Sequence, residues 1–518
     1  MTIRSSTMRN LSVATMLAVL VGFGRMAGAA TDKKPAPPPP PPRQAAPAPR
    51  PASQPAARPA GNPGGGARPA TTTTPGGRPG ITTTTGTRPI TTTSPSARPI
   101  TTTTTGTRPG SVTPSRPPAP ASSVLRGGPA PKGSNERVTR SGSAVRVGPK
   151  GNVRDVHDAR RGMDVHHGLN GNRRVSVERP DHTRMVSERG RPGYVQRGYS
   201  YHGHDFGRRS YYYHGHEYHR FYRGYGYRGV SLDVYAPGFY YGPGFYGWAY
   251  YPWAAPVAFG WGWGGSPWYG YYSGYFTPYP VYPSASAWLT DYMISQDLQT
   301  AYAAHQEAGE IDGSAAPAGG TPALTPEVKQ QIADEVKGQL ALESSEATQT
   351  AQHQDVDPAS SGIARLLTDG HQHVFVAGST LDLVDADGQE CGISDGDVLA
   401  LRTPPPADAT AVDLVVMASK GGQECQKSST VTVQLADLQE MQNQMRATID
   451  QGLQELQAKQ GKGGLPQAPP SAQAAPAQTE YASAAPPPDP QDAAALQQQS
   501  QQADLAEKEV TAEASQNQ

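Results

Sequence analysis

Residues 201–228 read YHGHDFGRRSYYYHGHEYHRFYRGYGYR, and this stretch decides the fold class. In Tyr201-His202-Gly203-His204 and Tyr213-His214-Gly215-His216, His-Gly sits where a two-residue hairpin turn wants a left-handed residue followed by Gly. The flanking runs are rich in Tyr and Phe, which suit a pleated strand. Working outward, short alternating runs recur at Val145–Val147, Val153–Val156, Arg174–Val177 and Tyr211–Tyr213, punctuated by Gly, Pro and Asn. Residues 133–237 therefore read as a basic region of β-hairpins.

Two kinds of chemistry are written into that region. Arg208, Arg209, Arg220, Arg223 and Arg228 interleave with Tyr222, Tyr225 and Tyr227. Guanidinium groups beside aromatic rings suit a polyanion or a glycan; an exposed two-sided sheet with solvated Arg is the other reading. His202, His204, His214, His216 and His219 form a candidate metal set, since His is a common transition-metal ligand. However, His216-Glu217-Tyr218-His219 is one residue short of a zinc-protease motif, and its Gly-Tyr context is not helical. Turn or surface histidines are the favoured reading, with no metal and no cofactor. Gly260, Gly262 and Gly265 match a dinucleotide fingerprint only formally, because Trp261 and Trp263 fill the gaps and no strand–helix unit follows. With no nucleophile elbow and no P-loop, the chain reads as a non-enzyme without catalytic residues.

Downstream, aromatic residues dominate. Of the 39 in the chain, 36 lie between Tyr194 and Tyr302, and no charged residue occurs from Val234 to Thr290. The stretch Tyr194–Tyr302, with the uncharged Tyr/Trp/Gly/Pro-rich segment 238–286 at its centre, thus predicts either a flat aromatic β-assembly or a sticky surface that packs on itself, a partner or a membrane. Its Pro and Gly content argues against a spanning helix, so membrane contact is at most peripheral. The motifs Phe245-Tyr246-Gly247-Trp248-Ala249-Tyr250, Gly260-Trp261-Gly262-Trp263-Gly264 and Tyr279-Pro280-Val281-Tyr282-Pro283, followed by Trp288-Leu289-Thr290-Asp291-Tyr292, carry a resemblance. The stretch resembles an uncharacterised group of bacterial secreted or envelope proteins with a Tyr/Trp/Gly/Pro-rich centre. That resemblance implies a secreted or envelope location and no known activity.

The compartment follows from residues 1–30. Arg4 and Arg9 precede an apolar run from Leu11 to Phe23, and Ala27-Gly28-Ala29 supplies a small-residue cleavage site. This is the pattern of a secretory signal peptide, so a periplasmic, outer-envelope or extracellular location is expected. Residues 31–132 read as a disordered Pro/Thr/Arg-rich stalk, with Arg-Pro recurring every ten residues from Arg58 to Arg108. Charge is strongly asymmetric: residues 1–230 hold 35 Lys and Arg against 10 Asp and Glu, and residues 231–518 hold 10 against 34. Such a split points to self-association or to an anionic partner for the basic half. In an exported protein that partner is an acidic polysaccharide or an envelope surface, not intracellular nucleic acid.

Beyond the aromatic block, the spacing predicts a helix over 287–308. Within the linker 309–360 it predicts a second helix over 326–343, capped by Thr325 and carrying Leu324, Val328, Ile332, Val336 and Leu340 on one stripe. Residues 361–460 read as a compact β domain plus a helix. Cys391 and Cys425, each preceded by Gly-Gln-Glu, are expected to form a disulfide. Residues 461–518 read as a disordered Ala/Pro/Gln-rich tail. The expected fold is therefore a largely disordered multi-segment chain with an Arg/Tyr hairpin region and a small α+β C-terminal domain, a barrel-like sheet plus a long helix. The expected role is structural or adhesive, through the aromatic segment and the stalk. The alternatives are a glycan- or acidic-polymer-binding module, or peripheral membrane association.

Overall fold

A computed structural model describes residues 128–309 and 323–516; the expected signal peptide, and the expected stalk up to residue 127, lie outside the described residues. Ten strands form one antiparallel meander, each pairing with the next. They are β1 (Asn135–Val138), β2 (Ala144–Val147), β3 (Val153–Asp158), β4 (Met163–His167), β5 (Arg173–Glu178), β6 (Arg184–Glu188), β7 (Gly193–Tyr201), β8 (His204–Tyr213), β9 (His216–Tyr227) and β10 (Val230–Ala236). Both His-Gly turns sit where the sequence places them. Tyr201 pairs with His204 and Tyr213 with His216, while His202 and His214 adopt φ of 49° and 47°. Arg228-Gly229 makes a third such turn between β9 and β10, with φ of 50° and 76°. The twist of these turns matches that of the strands they join, and the longest strands of the sheet flank them.

Alternation gives the meander two unlike faces. One carries Val145, Val156, Val165, Val175, Met185 and Val195, and a C-terminal helix, α9 (Asp492–Gln516), lies on it through Leu496, Ala503, Ala506 and Val510. The expectation of disorder across 461–518 is thereby corrected. Ala and Gln are strong helix formers, and the small Ala side chains let α9 approach the Val/Met surface closely. The opposite face is largely charged and packs against the rest of the chain.

The aromatic β-assembly expected over Tyr194–Tyr302 ends with β10 at Ala236, and segment 238–286 is not part of it. The segment folds into β11 (Phe239–Tyr240), α1 (Pro243–Tyr250), a 3-10 turn at Trp263–Gly265 and α2 (Pro267–Tyr271). Pro243 and Pro267 each open a short helix, and the frequent Gly and Pro prevent long ladders. Phe245, Tyr246, Trp268, Phe276 and Tyr282 turn inward and build the largest core, together with α3 (Ala285–Ala308), α4 (Pro326–Ala351) and α7 (Leu435–Lys459). Trp263, Trp261, Trp288 and Tyr292 stack in series with centroids 4.4, 4.9 and 5.6 Å apart. Ser284 and Thr325 cap α3 and α4, and the stripe from Leu324 to Leu340 is buried in this core.

Between α4 and α7 come α5 (Pro358–Ser361), α6 (Ile363–Leu366) and six strands: β12 (His373–Val376), β13 (Leu381–Asp385), β14 (Glu390–Ile393), β15 (Val398–Leu401), β16 (Ala411–Ala418) and β17 (Thr430–Gln434). Their order is β12-β15-β16-β17-β13-β14, an open antiparallel sheet and not a closed barrel. The long helix α7 is buried on several sides. Leu438, Met445, Ile449 and Leu453 face the cores, while Asn443 accepts from Tyr235 N (2.8 Å) and donates to Asp233 O (2.7 Å). Asn443 thus satisfies the edge strand β10 as a neighbouring strand would. After α7, β18 (Ala477–Gln478) pairs with β11, and α8 (Glu480–Ala484) leads to α9.

Candidate functional site

The charged face of the meander is built from rows of directly paired residues. One row runs Arg146, Asp155, His166, Arg174, Glu188 across β2 to β6. A second runs Glu178, Arg184, Gln196, Arg209, Arg220 across β5 to β9, and between them lies Val186, Tyr194, Tyr211, Tyr218. Direct cross-strand neighbours stand about 5 Å apart, so most of these charges are neutralised within the face or by the elements packed on it.

At one end most charges are matched, although Arg174 forms no ion pair among the described residues. Arg146 pairs with Asp155 and, at 2.9 Å, with Glu390 of β14, and Arg154 pairs with Asp382 of β13. His166 donates to Asp155 (2.7 Å) and Asp382 (3.0 Å). Burial alone would push this imidazolium down, but the two carboxylates outweigh it and hold the pKa at about 9. Asp155 is in turn held below its usual range, its burial overcome by His166 and Arg146. With both ring nitrogens engaged, His166 has no lone pair to offer as a base; this cluster joins the two sheets.

At the other end the neutralisation stops one residue short. Arg209 is fully buried, with Glu440 at 2.5 Å, Asp233 at 3.3 Å and its guanidinium 3.8 Å from the centre of the Tyr222 ring. Its cross-strand neighbour Arg220 is only 9 % exposed, yet among the described residues it forms no ion pair. Its one hydrogen bond goes to the neutral Gln444 amide (2.7 Å), and the rings of Tyr211 and Tyr218 lie 5.3 and 5.6 Å away. Those two rings are parallel to within 4° and 4.8 Å apart. Arg220, Tyr194, Tyr211 and Tyr218 form the sheet side of a cleft of about 270 Å³, closed opposite by α3 and α7. A buried cation without a counter-charge is costly, and an anion entering the cleft would supply the missing charge.

The other Arg and Tyr positions do not share this site, which corrects the picture of a single outward Arg/Tyr surface. Arg208 and Arg223 fall on the opposite face, donating to the carbonyls of Pro486 and Val356. Burial lowers the pKa of both. Arg228 sits in the third turn and donates to Pro406 O (2.9 Å) and Ala409 O (3.3 Å). Tyr222 is fully buried, and Tyr225 and Tyr227 pack half-buried on the core of the second sheet.

The histidines are dispersed. His202 and His214 occupy turn positions, His204 meets Asp355 at 3.1 Å, His214 meets Glu307 at 3.1 Å, and His216 and His219 are exposed. Among the described residues no group of three or more His, Cys, Asp and Glu is placed to hold a metal ion. Cys391 and Cys425 are disulfide-bonded with Cα atoms 4.9 Å apart, tying β14 to the loop before β17. The sequence reading missed His166 and Asp297; the second-row pairing, by contrast, could be counted outward from the His-Gly turns. No family model, curated protein or solved structure matches the chain.

Proposed function

We propose that this is an exported, non-enzymatic binding protein whose Arg/Tyr cleft takes the anionic group of a small ligand. The observation that carries this reading is Arg220, a buried cation flanked by two stacked Tyr rings and left, among the described residues, without an ion pair at the wall of a cleft. Pairing an anion with that guanidinium is charge-assisted and bidentate-capable, and the Tyr rings offer flat apolar surface to the rest of the ligand. Export is supported by the pattern of residues 1–30 and by the disulfide, which suits an oxidising compartment. The test is calorimetric titration of a carboxylate panel (D-glucuronate, D-galacturonate, N-acetyl-L-glutamine) against D-glucose as the neutral control. At least one carboxylate should bind, and Arg220→Gln should weaken it by about thirtyfold or more. Replacement of the surface residue Arg160, which is 65 % exposed, should leave binding unchanged. Carboxylates that bind no better than glucose would refute the reading.

A second reading, adhesion or peripheral membrane contact through 238–286, draws on the rim of that lobe. Tyr251 and Val281 are exposed and Trp261 and Trp263 half-exposed, in a segment without charge. Most of its other rings are core, and among the described residues no helix is long and apolar enough to cross a membrane.

A further inference from the structure

The cleft holds a second buried ionisable group, of the opposite sign. Asp297 projects from α3 into the same cleft and is 5 % exposed. Among the described residues its carboxyl takes part in no hydrogen bond and no ion pair, although buried carboxyls are nearly always paired. Arg220 apart, its charged surroundings are committed elsewhere. Arg191 is bound to Asp395 and Glu188, and Lys420 to Asp397 and Glu424. The rest of the lining is mixed: Thr300 from α3 and Gln444 and Thr448 from α7 are neutral hydrogen-bonding side chains, and Arg174, Glu188, Arg191 and Glu440 are charged.

We infer that the ligand of this cleft is a zwitterion, an amino acid or short peptide whose carboxylate pairs with Arg220 and whose ammonium pairs with Asp297. The inference rests on the anion-binding reading above and adds a second subsite to it. A plain anion would satisfy Arg220 and leave Asp297 as it was; a ligand with both charges satisfies both groups. Tyr211 and Tyr218 would then flank the ligand's side chain, and the neutral amides and hydroxyls would meet its polar atoms.

Without a ligand, burial and then the nearby Asp395 carboxylate push the Asp297 carboxyl well above its usual range, against the opposing pull of Arg191, Lys420 and Arg220, and so favour its protonated form. An arriving ammonium favours the carboxylate, and that proton goes to solvent. Binding by the full protein should therefore release a proton, and its observed heat should change with the ionisation enthalpy of the buffer.

The experiment is a thermal-shift panel of the twenty L-amino acids and a set of dipeptides, followed by calorimetry in two buffers on the best binder, its N-acetyl derivative and its amide. The expected result is binding of the zwitterion about thirtyfold or more tighter than either derivative. Asp297→Asn should abolish its advantage over the N-acetyl form while leaving N-acetyl binding intact, and Arg220→Gln should weaken both. If the N-acetyl form binds as tightly as the parent, or D297N changes neither, the zwitterion inference falls and the anion reading stands. If no member of the panel binds but a uronate does, the inference also falls alone. If no carboxylate of any kind binds, both fall.

Discussion

Arg209 and Arg220 face each other across β8 and β9, yet their surroundings assign them different tasks. Removing the Arg209 guanidinium would take from Glu440 its ion pair and from Asp233 one of several partners, so Arg209→Gln should destabilise the protein by about 3 kcal/mol. Denaturant titration would reveal it. His166 gives the clearest pH signature. Its folded pKa of about 9 lies above its ordinary 6.5. Its contribution is therefore fully present below pH 6.5 and is lost as pH rises through 9, amounting to about 3 kcal/mol. Urea midpoints should fall between pH 6.5 and 9 in the native protein and fall less in His166→Gln; parallel slopes would remove His166 from the account. The pairing behind the Arg209–Arg220 contrast was legible in the sequence, because the His214-Gly215 turn fixes Tyr213 opposite His216 and so Arg209 opposite Arg220. What covers that face was not legible, since Glu440 and Gln444 lie more than two hundred residues away and no local pattern announces a contact at that range.

Among elements, α9 and the disulfide-closed sheet carry the most direct tests. The ion pairs of α9, such as Arg161–Glu509 (2.8 Å) and Arg173–Asp504 (2.9 Å), involve partly exposed partners and are each worth about 0–1 kcal/mol. The Leu496, Ala503, Ala506, Val510 stripe should thus hold the helix, and 1 M NaCl should lower amide protection in α9 only modestly. Val510→Asp, which buries an unpaired carboxylate, should release it at a cost of about 3 kcal/mol. Hydrogen exchange confined to α9 would check both, and release by salt alone would count against the stripe. Joining residues 34 apart, the Cys391–Cys425 bond should stabilise by about 4 kcal/mol, read as the loss in a double Ser variant. The sequence reading found this disulfide, the hairpins and the α4 stripe, because each has a local signature. It missed α9 because a stripe of Ala becomes a packing face only when a Val/Met sheet face lies opposite. The fate of the aromatic segment was likewise not legible, because exposed and buried Tyr/Trp/Gly/Pro read alike until α3, α4 and α7 enclose them.

For the whole molecule, part of the charge asymmetry is answered within the described residues. Basic strands of the meander meet acidic residues of the C-terminal half at Arg146–Glu390, Arg154–Asp382, Arg191–Asp395, Arg197–Asp492 and Arg209–Glu440. A polyanion is therefore not needed to neutralise this face, and the unmatched Arg220 acquires its meaning against that background. Under the proposed function Arg220 serves a ligand and not the fold, and paired denaturation and carboxylate titration of Arg220→Gln separate the two. The predicted result is stability within about 1 kcal/mol of the native protein, or above it, since no carboxylate loses a partner, together with loss of carboxylate binding. A destabilisation matching that of Arg209→Gln, with binding unchanged in the folded fraction, would contradict it.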